Sequence, residues 1–498
     1  MIQKITAYGR RFSRILAGSL GWRLVMGLFL VEALWFVFSA QYPMAFDENY
    51  HFGLIQLHAK QWLPFFTSQP PDSSTYGAVA RDPSYLYHWL MSFPYRLLGI
   101  FTDNQTAQII WLRLLNVAMF AYALTLYRKI VARMGVSVSL SNALFAVFVL
   151  VPVVPFLAAT INYDNMFMIA VAASILLTFR VLDEMKERRV NASALVSLLI
   201  VLCLGCLIKF PFLPVFAATV VFIAWRLFRS GLLGSLGIRS FVRSFTRLNR
   251  FRQVILVVAC LLSVGLFTER YGENIVQYHN PVPACNVVLT EDECVQYGPY
   301  GRDTVYKQTK PASFHPNIVS YAWQWLYGMW YRLFFAINYD YATQPPLLFI
   351  SVVGIAGAVV LAVGILLRLR LLFAGNLVRQ AVLWVTLGYL IALFLDGYKG
   401  YVKTGQPVAI NGRYLIAFMP LLFALGGLAW VHILQGHKRA RNAFATVVLA
   451  VLLLQGGGTM TFIVRSADTW MWPNTTVRSI NRTVRSIVWP IIIGKNVR

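Results

Sequence analysis

"FDENYHFGLIQLHAKQW", residues 46–62, follows directly on the first long apolar run of the chain, with two adjacent acids, Asp47 and Glu48, at its head. Within it Phe52, Ile55, Ala59 and Trp62 recur at helical spacing, with polar residues between them. That pattern suits a helix lying in a membrane interface or docked on membrane spans. The apolar run before it is long, lacks a small-residue cleavage site before Asp47, and contains Arg23 and Glu32. It reads as a retained span rather than a signal peptide.

The rest of the chain extends this reading. Its 498 residues are 58% hydrophobic and 13% charged, against about 25% charge in an ordinary soluble protein. Apolar runs long enough to cross a bilayer recur throughout. The expected fold is an all-α polytopic membrane protein of about eleven transmembrane helices. Their approximate positions are 21–40, 107–127, 139–159, 164–182, 193–209, 211–228, 253–268, 346–367, 380–396, 413–434 and 442–464.

The net charge of +25 raises the question of nucleic acid, and its distribution answers it. Lys and Arg gather in alternate short connections: Arg10, Arg11 and Arg14; Arg128 and Lys129; Arg188 and Arg189; the run from Arg226 to Arg252; Arg368 and Arg370; Lys438, Arg439 and Arg441. This is the positive-inside bias, and it places the N-terminus inside. A nucleic-acid groove would need basic residues interleaved with aromatics on one solvated face. The expected organisation is an inner N-terminus and first span (1–40), an outer loop with interfacial helices (41–106), spans (107–268), a second outer loop (269–345), further spans (346–464) and an outer tail (465–498). The arginines of that tail, Arg478, Arg482 and Arg485, fit the charge rule poorly.

In the first outer loop, "DPSYLYHWLMSFPYRLLGIF" is aromatic and apolar but broken by Pro94 and Arg96, so a second interfacial helix is expected. In the second, Cys285 and Cys294 are expected to form a disulfide, which persists outside a cytoplasmic membrane. Residues 318–338, rich in Trp and Tyr, read as a surface-bound helix; if they span instead, the tail falls inside. Cys203 and Cys206 spell CxxC inside an apolar run without His or acidic neighbours, which points to packing.

Several polar residues stand where chemistry could use them. Asp47 and Glu48 either cap a helix or, beside an apolar surface and followed by His51, supply a partly desolvated base. "INYDN" (161–165) brings Asn162, Asp164 and Asn165 to a helix boundary as caps, or Asp164 as a second carboxylate on the face of Asp47. Such a pair could hold a cation or a sugar hydroxyl; beyond a divalent metal there, no cofactor is called for. Lys209 in "LIKFPFLP" either snorkels to headgroups or meets a lipid phosphate. Arg413 and Tyr414 in "NGRYLIAFMP" (411–420) are an interfacial anchor or a phosphate fork. Arg113 lies inside a span and needs a partner, for which Glu32 is the candidate. No Walker-type phosphate loop, GxSxG or HExxH is present, which argues against a nucleotide-driven pump and against serine or zinc hydrolases.

Taken together these features resemble the GT-C glycosyltransferases. "FDENYHF" is similar to the Asp-Glu element of the protein O-mannosyltransferases and the lipid A aminoarabinose transferases, and "DPSYLYHWL" resembles their second interfacial helix. A nearer likeness is to a related bacterial family of membrane proteins with a Pro-Asp-Glu-x-x-His-Phe element, an Asn-Tyr-Asp element, a Lys-Pro-type turn and a Gln-Gly-Arg-Tyr element, in that order. "FDENYHF", "NYDN", "IKFPFLP" and "NGRYLIAFMP" follow the same order across 47–420, with Phe46 replacing the Pro and Asn411 the Gln.

The resemblance implies a GT-C-like bundle in a bacterial cytoplasmic membrane with its active site on the outer, periplasmic side. It implies transfer of a sugar from a polyprenyl-phosphate-linked donor to an envelope glycan, lipid or protein acceptor. Asp47 would then deprotonate the acceptor hydroxyl, with Glu48 in support. Lys209 and Arg413, and more remotely Arg81 and His88, would hold the donor phosphate. His51, Asn162, Tyr163, Asp164 and Tyr414 would contact substrate. Two other readings compete: a flippase or transporter of a polyprenyl-linked glycan, and a non-catalytic envelope-assembly protein. A transporter would carry ionisable residues near the midplane in repeated halves, whereas here the acids and cations gather at one mouth of the bundle.

Overall fold

The computed structural model describes residues 18–334, 348–437 and 439–440, and some positions between 476 and 487. The expected eleventh span (442–464), nearly all of the tail, Arg10, Arg11, Arg14 and residues 335–338 lie outside the described residues. The described chain is helical throughout. In chain order the helices are α1 (Ser19–Ser39), α2 (Glu48–His58), α3 (Leu86–Gly99), α4 (Gln105–Arg133), α5 (Val138–Val149), α6 (Val153–Ala159), α7 (Asp164–Lys186), α8 (Ala192–Ile208), α9 (Leu213–Arg229), α10 (Ser235–Thr246), α11 (Arg250–Tyr278, carrying a π-turn at Thr268–Gly272), α12 (Cys285–Val288), α13 (Glu291–Val295), α14 (Gly298–Gln308), α15 (Ile318–Phe334), α16 (Leu348–Leu367), α17 (Leu369–Phe373), α18 (Leu377–Thr404) and α19 (Met419–Ile433).

Six of these are long and apolar enough to cross a bilayer: α1, α4, α7, α9 with its preceding turn, α11 and α18. The run expected as one span at 139–159 is two helices, α5 and α6, bent by 72°. Pro152, which donates no backbone N–H, stands in the break. With that pair the count reaches seven; α8, part of α16, and α19 are shorter apolar helices. Helices α4 and α7 pack along each other at the centre, with α8 against α7, α11 against α8, and α9 against α18. Asparagine and serine side chains close several helix starts: Asn104 accepts from Ala107 N (3.2 Å), Asn191 from Ala194 N (3.1 Å) and Asn249 from Arg252 N (2.8 Å).

Helix α2 begins where the sequence places it but ends at His58; Trp62 is exposed in the loop beyond. Phe52 and Ile55 are fully buried. Arg96 on α3 fixes the end of α2. Its guanidinium donates to the carbonyls of His58 (2.8 Å) and Ala59 (3.0 Å), and to that of Gln61 just beyond the helix. The two short helices therefore form one docked pair. The disulfide Cys285–Cys294 is present, and Cys203 and Cys206 are buried free thiols. Helix α15 turns Tyr321, Trp325, Met329 and Leu333 inward against α18 and the 412–415 turn, and exposes Val319, Trp323 and Leu326.

Candidate functional site

Four polar motifs far apart in sequence meet at one end of the bundle. Asp47 is the residue before α2, where a capping role was expected, but its side chain makes no capping bond. Instead Asp47 Oδ2 accepts from Arg413 Nη2 at 2.7 Å. Arg413 keeps 8% of its side chain exposed and Asp47 61%. Phe46 and Asp47 have φ of 68° and 65°, a left-handed conformation that L-residues with side chains enter at a cost. This turn aims the carboxylate away from the helix it precedes.

Arg413 is held by a 3-10 turn rather than by the mouth of a span: Gly412–Leu415 precedes α19. Asn411 Oδ1 accepts from Arg413 N (3.1 Å) and Tyr389 Oη donates to the Tyr414 carbonyl (2.9 Å). The turn presses on α15 so closely that a Cβ on Gly412 would stand 2.5 Å from the Met329 carbonyl oxygen and 2.9 Å from Leu333 N. Only glycine fits there without moving backbone.

Asp164 and Lys209 complete the cluster. Lys209 Nζ pairs with Asp164 Oδ1, both nearly fully buried. The ammonium also sits 4.5 Å from the Tyr163 ring centroid and 5.0 Å from that of Tyr414. Cation–π contact offsets part of its lost hydration. Headgroup snorkelling, one of the two readings of Lys209 taken from sequence, gives way to a buried pair. Arg413 Nε stands 4.0 Å from Asp164 Oδ2, so Arg413 lies between the two carboxylates. Asn162 supports both halves: its Nδ2 donates to the Phe46 carbonyl (2.8 Å) and its Oδ1 accepts from Asp164 N (2.8 Å).

A divalent ion shared by Asp47 and Asp164, which the sequence leaves open, does not fit this donor set. A guanidinium fills the space between the carboxylates, and among the described residues no three His, Cys, Asp or Glu side chains converge as ligands.

Glu48 is built into the core. Arg113 gives Nε to Glu48 Oε1 (2.8 Å) and Nη2 to Oε2 (2.7 Å), and the same carboxylate accepts from Met44 N (2.6 Å) and Ile161 N (3.3 Å). Arg113 Nη1 donates to the carbonyl of Ala40 (2.6 Å). Both side chains are fully buried. The partner expected for Arg113, Glu32, is replaced in that role by Glu48. A carboxylate with four donors around it is an anchor joining the end of α1, the start of α2, α4 and the 161–165 segment.

His51 and His88, expected at substrate and phosphate, form a buried pair. His51 Nδ1 and His88 Nε2 are 2.9 Å apart, and His88 Nδ1 is 3.1 Å from the Ser84 carbonyl. If His88 Nδ1–H donates to that carbonyl, its Nε2 must accept from His51 Nδ1–H. Burial, then the cations Arg413 and Lys209, holds the His51 pKa well below its usual value. Burial, then His51 and His58, does the same for His88. A neutral His88 buried behind His51 offers no cation to a phosphate. The ring of His51 meets Tyr163 edge-on at 4.4 Å, so the pair backs the site. Arg81 is committed to Glu273 at 2.8 Å.

Two contributors escaped the sequence reading. Tyr297 lies beside Tyr50 with its ring tilted by 38° (6.2 Å between centroids) and packs on Gly77, whose added Cβ would meet the Tyr297 ring at 3.1 Å. The Tyr297 amide donates to the Cys294 carbonyl (3.0 Å), so the disulfide loop delivers an aromatic ring beside Asp47. Burial pushes the Tyr297 hydroxyl pKa up, with the charges of Asp82 and Asp47 adding to it. Asn116 is the other: its Oδ1 accepts from Tyr87 Oη (3.0 Å) and Asn165 Nδ2 (2.8 Å), fixing α3 and the head of α7 to α4. The chain matches no protein-family model, no curated protein and no solved structure.

Proposed function

We propose that this chain is a membrane glycosyltransferase of GT-C type, with about eleven spans. In this reading it moves a sugar from a polyprenyl-phosphate-linked donor to an envelope glycan, lipid or protein acceptor at the outer face of a bacterial cytoplasmic membrane. The observation that carries the reading is the exposed carboxylate of Asp47 standing directly against the buried cation of Arg413. Arg413 Nε and Nη1 are buried and have no hydrogen-bond acceptor among the described residues. With Lys209 beside them, they suit a phosphate oxygen.

The acceptor hydroxyl attacks the anomeric carbon as the bond from that carbon to the phosphate oxygen breaks, and the lipid phosphate leaves with the electron pair. The hydroxyl proton goes to Asp47, whose Oδ2 is fixed by Arg413 while Oδ1 is free of partners among the described residues. Arg413 and Lys209 stabilise the charge that develops on the departing phosphate. Tyr50 and Tyr297 offer ring faces to a sugar.

The test is transfer by the purified protein from a polyprenyl-phosphate sugar, compared with Asp47→Asn. Loss of transfer by about 10²-fold or more, with donor still bound, is the result expected when a general base is removed. Turnover at the wild-type rate would remove Asp47 from the mechanism and return the flippase reading to the front.

A further inference from the structure

A second guanidinium is as deeply buried as that of Arg113, yet one edge of it stays open. Arg270 lies in the π-turn of α11 with 1% of its side chain exposed. Its Nη1 donates to the Ala80 carbonyl. Its carbon centre lies 5.5 Å from the ring centroids of both Phe65 and Tyr85. Nε and Nη2 have no hydrogen-bond acceptor among the described residues. These two N–H groups share the edge that, in Arg113, grips both oxygens of Glu48.

Other buried polar atoms in this region also have no hydrogen-bond partner among the described residues: Tyr85 Oη, His58 Nδ1, Glu269 Oε2, and Asn274 Oδ1 one turn beyond Arg270. Glu269 Oε2 stands 3.4 Å from Arg270 Nε. Adjacent helical residues diverge around the axis, so that carboxylate cannot lie along both nitrogens. Arg81 is paired with Glu273, and Asp82 Oδ1 accepts from Ser84 N (2.8 Å). Neither supplies the missing acceptor. A buried cation with an open hydrogen-bonding edge is strongly destabilising, and π-turns are retained mostly where function requires them.

We propose that the Nε–Nη2 edge of Arg270 is an oxyanion-binding site, separate from Arg413 and Lys209, that takes two oxygens of a phosphate or carboxylate group. The Tyr85 hydroxyl and an Nδ1-protonated His58 supply further donors, and Asn274 Oδ1 accepts from a hydroxyl on the same ligand. The phosphate can come from a lipid headgroup or from solution. Exposed apolar residues of α11 flank Arg270 on both sides, Val258, Leu261 and Leu262 before it and Ile275 and Val276 after it.

The experiment compares the full-length protein with Arg270→Lys and with Tyr85→Phe, which deletes only a hydroxyl and keeps the ring. Inorganic phosphate is titrated against thermal unfolding, and native mass spectrometry counts phospholipids retained from vesicles of phosphatidylglycerol and phosphatidylethanolamine. Arg270→Lys is expected to weaken one binding event by about tenfold, because an ammonium meets one oxygen where the fork meets two. Arg413→Lys leaves that event unchanged. A loss confined to retained lipid assigns a headgroup; a loss confined to inorganic phosphate assigns a soluble oxyanion. Phosphate affinity and lipid count both unchanged in Arg270→Lys and Tyr85→Phe would overturn the proposal.

Discussion

Asp47 and Glu48 are neighbours in sequence and opposites in structure. Glu48 is sealed among Arg113, two backbone amides and apolar side chains, with no surface left for a ligand. Asp47 is mostly exposed, turned by a left-handed backbone, and tied at one oxygen only. One acid makes the fold possible at this point; the other is left available by it. The lesson is that adjacency of two carboxylates says nothing about shared work until the depth and partners of each are known.

The widest separation between them should appear on removing each charge. Glu48→Ala leaves Arg113 buried without its partner and is expected to cost about 3–5 kcal/mol, read as a large fall in melting temperature and in detergent-extractable folded protein. Asp47→Asn keeps an oxygen for Arg413 Nη2 and should cost about 1 kcal/mol or less in melting, as loss of a largely exposed ion pair does, while transfer is lost. If Glu48→Ala melts like wild type, the anchor role is wrong and the contrast collapses.

A smaller effect tests the cations facing Asp47. Arg413→Lys keeps the charge but loses the fork, and donor affinity is expected to drop about tenfold. Lys209→Ala should weaken donor binding as well, and it also strands the buried Asp164 carboxylate, so its melting temperature should fall too. Equal donor affinity in wild type and both variants, by binding of a polyprenyl phosphate, would place the phosphate elsewhere.

The gentlest probe is pH, because the histidines behind the site are buried neutral. Burial, then Arg270 and Arg96, brings the His58 pKa down to about 3, and His51 and His88 are lowered as well. Their folded values lie below the unfolded value of about 6.5, so the unfolded chain takes up the protons. Stability from this source is complete above about pH 6.5. It declines as pH falls toward the folded values, by about 1.4 kcal/mol per unit for each histidine. His58→Gln should flatten the melting-versus-pH slope by about one proton between pH 6 and 4; an unchanged slope would mean that His58 does not titrate there on unfolding.

Much of this architecture could be read from the chain. Apolar period and length gave most helices, and "FDENYHF", "NYDN", the Lys209 turn and "NGRY" do come together. What sequence could not supply was pairing. Arg113 and Glu48 are 65 residues apart, and Glu32 was preferred because it, like Arg113, lies inside an apolar run, whereas the chain doubles back after α1 to bring Glu48 inside. His88 reads as an exposed cation until α3 is docked on α2. Helix α6 bends away at a proline that the hydropathy of 139–159 does not register. The Tyr297 contribution depends on a loop fold that no periodicity encodes.

The turn at Phe46 and Asp47 has an evolutionary corollary. Glycine enters the left-handed region freely, so a lineage selected for robustness alone would drift toward glycine at position 47, whereas Phe46 is held in place by its burial in the core. Keeping a side chain at position 47 sets a ceiling on how durable this protein can become without surrendering Asp47. Directed evolution for heat resistance, run without selection for activity, should therefore find position 47 early, and the survivors should be inert.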